Sequence, residues 1–183
     1  MQKQIHPLRD PAQSIPIWRI LGWGGAVALL ITPLIAMQFT SEVQWDETDF
    51  LFAAVIFSIV GGLAELTVRL TANWISRLGA FFAIMAGFML IWSNLAVGMI
   101  GNEDNPVNLL FGAVLAVAIL GACLSRIRAS ILPTAMLLAG AIQLSIGLFA
   151  GIWGSDFRGG VFTIVLGIPW WIASALFAIS QRR

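Results

Sequence analysis

The sequence predicts an all-α fold, a polytopic bundle of six transmembrane helices, and three observations predict it. Hydrophobic residues make up 59% of the 183-residue chain and charged residues 10%, whereas about a quarter of a soluble domain is charged. The apolar residues gather into six continuous runs of 18 to 22 residues, each long enough to cross roughly 30 Å of hydrocarbon at about 1.5 Å per residue. The runs do not alternate apolar with polar residues in ten-residue segments, which excludes a membrane β-barrel pattern.

Residues 1–17 carry Lys3, His6, Arg9 and Asp10 among Pro7, Pro11 and Pro16, a composition that predicts an extended cytoplasmic arm. Residues 18–183 form the six-helix transmembrane domain. Its first span, 20–37, is too long for a signal-peptide core and lacks an A-x-A cleavage pattern, so it is retained; Pro33 within it predicts a kink. The remaining spans fall at about 50–70, 79–100, 107–124, 132–152 and 160–179. Asp49 is positioned to cap the second.

With six spans, Lys3, Arg9, Arg19, Arg69, Arg77, Arg126, Arg128, Arg182 and Arg183 all fall on one side. Arg158 is the single base on the other, among Glu42, Asp46, Glu47, Asp49, Glu103, Asp104 and Asp156. This bias predicts that both termini are cytoplasmic. Trp18, Trp45, Trp74 and Trp153 fall near the expected interfaces, as an aromatic belt requires.

Helices in lipid associate through small residues and buried polar groups. Ala135, Ala139, Gln143, Gly147 and Gly151 make such a ladder on the fifth span, and Ala80, Ala83, Gly87, Asn94, Gly98 and Gly101 one on the third. Ala54, Ser58, Gly61, Glu65 and Arg69 share a face of the second. These ladders predict that spans two, three and five form the bundle interior.

Polar residues are densest beside apolar sequence between Trp92 and Asn108, where Asn94 precedes a turn holding Asn102, Glu103, Asp104, Asn105 and Asn108. Glu103, Asp104 and Asn105 are weak candidates for a hard-cation site, because calcium takes oxygen ligands, but their spacing is not that of an EF-hand loop. The plainer reading is a hydrated turn in which Asn105-Pro106 starts the next helix. Glu65 and Arg69 form an acid-first i,i+4 pair; an intramembrane carboxylate can relay protons or hold a cation, and the plainer reading is a pair that reaches the interface and fixes the depth of the span. Pro169, Trp170 and Trp171 near the middle of the sixth span could line a ligand groove, though aromatic residues there more often simply pack. Trp45-x-x-x-Asp49-Phe50 and Trp153-x-x-Asp156-Phe157 are a faint internal echo.

No catalytic constellation can be assembled. His6 is the only histidine and Cys123 the only cysteine, so histidine-pair metal or haem ligation, a Ser-His pair and an internal disulfide are all unsupported. No phosphate-binding glycine loop is present, and no basic stretch interleaved with aromatics points to nucleic acid. No enzyme and no cofactor are expected.

The run W-D-E-T-D-F at 45–50, then Glu65 and Arg69, then N-L-A-V-G-M-I-G-N-E-D-N-P-V-N at 94–108 resembles the pattern of a functionally uncharacterised family of small bacterial multi-pass inner-membrane proteins. The resemblance covers about the first two-thirds of the chain, and the sixth span is an addition to the usual pattern. It implies a bacterial inner-membrane location and a shared motif containing Asn94, Glu103, Asn105, Pro106 and Asn108; it implies no activity. The expected partners are the lipid bilayer and other membrane subunits or a second copy. The function expected is an accessory or assembly subunit of a larger membrane complex. The alternative is a small-solute or ion permease using Glu65, Asn94 and Gln143.

Overall fold

The computed structural model describes residues 16–102 and 104–182. Nearly all of the predicted arm, together with Glu103 and Arg183, lies outside the described residues. Among the described residues, six helices are long and apolar enough to cross a membrane: α1 (Ile17–Ala36), α2 (Glu47–Leu70), α3 (Trp74–Ala96), α4 (Phe111–Leu124, entered through a 3-10 turn at Pro106–Leu110), α5 (Ile131–Ile152) and α6 (Phe157–Ser180). The all-helical, six-span reading of the sequence therefore holds. The chain divides into two units, Met1–Gly61 and Gly62–Arg183.

In the first unit, α1 starts after Pro16 and contains Pro33, and none of its residues is buried. Trp23 seats its ring on Gly61, where a β-carbon would come within 2.9 Å of the indole. The start of α2 corrects the expected cap. Asp46, not Asp49, is the N-cap: its Oδ1 accepts from the amides of Thr48 (2.8 Å) and Asp49 (3.0 Å). Asp49 reaches back to accept from the Asp46 amide at 3.0 Å, closing a reciprocal capping box from the third helical position. Trp45 packs edge-on against Phe50, centroids 5.2 Å apart.

In the second unit, Asn73 caps α3 through the Ile75 amide at 3.0 Å, which sets the helix start at Trp74 rather than the expected residue 79. Arg77 donates to the carbonyls of Thr71 (2.7 Å) and Val68 (3.1 Å) at the end of α2. Cationic donors are favoured there because the last carbonyls of a helix lack intrahelical partners and carry partial negative charge. The far end of α3 is also corrected. The helix stops at Ala96, not near residue 100, because Gly98 and Gly101 take left-handed φ values of 68° and 69° that L side chains rarely adopt.

The interior of this unit is built by α3, α4, α5 and α6; α3 and α5 are interior as the ladders predict, and α4 and α6 join them although no ladder marked them. α6 packs on both α5 and α3, and α4 packs on α5. The α5–α6 contact is backbone to backbone: a β-carbon at Gly160 would stand 2.6 Å from the Gly147 carbonyl oxygen and 3.0 Å from Gly151 Cα. Gly121 faces Ala135 across the α4–α5 contact, and Gly79 faces Phe177 across the α3–α6 contact. In α2 only Ala53 and Ile56 are buried. On its ladder, Ser58 donates to the Ala54 carbonyl of its own helix at 2.7 Å and Glu65 pairs with Arg69.

Candidate functional site

Two polar constellations sit in the second unit. The first is the α3–α4 turn, and its organiser is Asn108, which is buried. The Asn108 side chain accepts from the Ile100 amide at 3.0 Å and donates to the carbonyls of Ile100 (3.2 Å) and Asn102 (2.7 Å). One amide thus serves three backbone groups that the interrupted helix leaves without partners. Asn105 Oδ1 accepts from the Val107 amide at 3.0 Å and caps the turn that Pro106 begins, in line with the plainer reading of that stretch. Asn94 donates to the Asn108 carbonyl at 3.3 Å, while its own Oδ1 is buried without a partner.

Asp156 ties this turn to α6. Its Oδ2 accepts from the Gly101 amide at 2.8 Å and its Oδ1 from the Gly159 amide at 2.9 Å. These two backbone donors, Gly101 first, hold the carboxyl below its ordinary value, outweighing a small opposing effect of burial. Sequence reasoning counted Asp156 only for its charge and the Trp-Asp-Phe echo. The available signal was an Asp directly before a long apolar run, the signature of an N-cap.

The second constellation lies in the α5–α6 contact. Gln143, with no exposed surface, donates from Nε2 to the Thr163 carbonyl at 3.0 Å and accepts at Oε1 from Trp170 Nε1 at 2.9 Å. Trp170 is therefore core, with its one polar atom satisfied, rather than the wall of a ligand groove. Lower in the same contact, Ser174 donates to the Pro133 carbonyl at 2.7 Å and Gln181 to the Ala129 carbonyl at 2.7 Å.

The remaining predicted site residues are dispersed. Glu65 and Arg69 pair at 3.0 Å within α2, the arginine side chain 67% exposed and the glutamate 18%. Asn102 and Asp104 are exposed in the turn. Of the three cation candidates, Glu103 lies outside the described residues, Asp104 is exposed, and Asn105 has its oxygen engaged as a cap. Among the described residues no group of three or more His, Cys, Asp or Glu gathers to hold a metal.

A surface groove of about 370 Å³ runs between α4 and α5, lined by Leu110, Ala113, Leu138, Ala141, Ser145 and neighbouring isoleucines. Ser145 donates to the Ala141 carbonyl of its own helix at 2.9 Å, so the floor of the groove demands no polar partner. No family model, curated protein or solved structure matches this chain.

Proposed function

We propose that this protein is a non-enzymatic, multi-pass subunit of a bacterial inner-membrane complex, with both termini cytoplasmic, and that a helix of another subunit packs in its α4–α5 groove. The observation that carries this reading is the groove itself, a strip of small residues flanked by Leu110, Leu138 and Ile142. Ala113, Ala141 and Ser145 let a second backbone approach closely, which is how helices gain packing energy where no hydrophobic effect acts. The resemblance of the 94–108 motif to bacterial inner-membrane proteins supports the location. The permease reading finds less support: Gln143, which it places on a transport path, has both ends of its amide bonded to α6.

Purification of the tagged full chain from native membranes in mild detergent tests this. A stoichiometric second protein that is lost on Ala141→Trp supports the subunit reading. The chain alone, or a partner indifferent to Ala141→Trp, overturns it.

A further inference from the structure

Where the α3–α4 turn meets the start of α6, a cleft of about 360 Å³ opens, lined by Val97, Gly98, Gly101, Asp156, Arg158 and Phe162, among others. Its lining joins one guanidinium and one carboxylate to apolar side chains. Phe162 lies five residues into α6 from Phe157, about 7.5 Å further along the axis. Val97 is 60% exposed and Phe162 41%, so the apolar part of the lining is open to the surroundings, which along a spanning helix are hydrocarbon. An open cleft that joins one cation, one anion and exposed apolar side chains at the end of a spanning helix has the amphipathic profile of a phospholipid rather than of a soluble metabolite.

The charges select the head group. Arg158 is exposed and is the one basic side chain that the described residues place at this end of the unit, which also carries Asp104 and Asp156. A guanidinium binds phosphate through paired N–H donors. Each Asp156 oxygen already accepts one backbone amide, but an ionised carboxylate has about four lone-pair sites, so each oxygen can accept one more donor. One carboxylate in the same lining as one guanidinium disfavours a net-negative head group. A quaternary amine has no N–H to give Asp156, whereas a primary ammonium has three. We propose that this cleft binds a phosphoethanolamine lipid, its phosphate on Arg158, its ammonium on Asp156, and an acyl chain along Val97 and Phe162.

Native mass spectrometry of the delipidated full chain, titrated separately with phosphatidylethanolamine, phosphatidylcholine and phosphatidylglycerol, tests the proposal. Phosphatidylethanolamine should bind about tenfold more tightly than the other two, and Arg158→Gln should remove about that factor, the scale of one charge-assisted contact. Val97→Trp, which fills the apolar part of the cleft, should weaken binding likewise, and Arg126→Gln at the opposite end should not. Equal affinity for the three lipids, or indifference to both cleft variants, overturns the proposal. So does displacement of the lipid by inorganic phosphate or soluble phosphoethanolamine at equal concentration, which would mark a free-anion site.

Discussion

At the scale of single residues, the α3–α4 turn depends on Asn108 more than on Asn94. Asn108→Ala strands the Ile100 amide and the carbonyls of Ile100 and Asn102, and at about 1–3 kcal/mol for each unsatisfied buried group, with some relaxation, the cost should reach roughly 2–4 kcal/mol. Asn94→Leu removes one 3.3 Å bond and also an acceptor that has no partner, so it should cost less than about 1 kcal/mol. Thermal unfolding in detergent checks the order; a larger loss for Asn94→Leu would reverse the assignment. Asp156 makes a pH prediction. Its folded pKa is depressed by the Gly101 and Gly159 amides, so the stability it contributes is fully present above the unfolded value near 3.9. That stability is lost as pH falls through the lower folded value. The Gly101 amide resonance should therefore stay constant from pH 7 to about 5 and move only below about 4; Asp156→Asn should abolish that movement. The sequence marked Asn108 and Asn105 because amides beside apolar runs are conspicuous. Asp156 was harder to find, since its partner Gly101 is 55 residues away in the chain and a backbone amide has no sequence signature.

At the scale of elements, glycines decide which helices touch. Gly160→Ala would push a methyl group onto the Gly147 carbonyl, 2.6 Å away and part of a backbone that cannot swing aside, and should cost about 1–3 kcal/mol, as overpacking does. Gly112→Ala, where nothing lies within 4 Å, should be neutral or slightly stabilising through helix propensity. Equal effects on detergent stability would mean that the α5–α6 contact does not depend on backbone approach. The number and type of elements were legible because apolar run length determines both. The choice of interior helices was only half legible. In the α5 ladder Ala135, Ala139, Gln143 and Gly147 are buried as expected and Gly151 is half-buried, but the equivalent ladder on α6 (Gly160, Thr163, Gly167, Trp170, Ala173, Ser174, Phe177) mixes large and small residues and escapes a small-residue search. A hydroxyl that bonds back to its own helix, as Ser58 of the α2 ladder does, looks in sequence just like one that bridges two helices. Helix ends shifted by several residues at α3 because Asn73 acts through a side-chain cap and Gly98 through a left-handed backbone, neither of which hydropathy records.

At the scale of the whole molecule, connectivity places Arg77, Arg126, Arg128 and Arg182 at one end of the second unit and Asp104, Asp156 and Arg158 at the other. The positive-inside bias supports the proposal that the first end is cytoplasmic. In a Cys123→Ser background, an impermeant thiol reagent added from the proposed outer side should label Asp104→Cys and Ser155→Cys but not Ala72→Cys or Ile127→Cys; the reverse pattern would invert the topology. The central claim is that the α4–α5 groove receives a helix of another subunit. A benzophenone side chain at position 141, on the floor of the groove, tests it most directly when compared with one at Val165, which is 53% exposed on α6. Irradiation in native membranes should give one discrete protein adduct from position 141 and none from position 165. Lipid adducts alone from position 141, or the same adducts from both positions, would contradict the account.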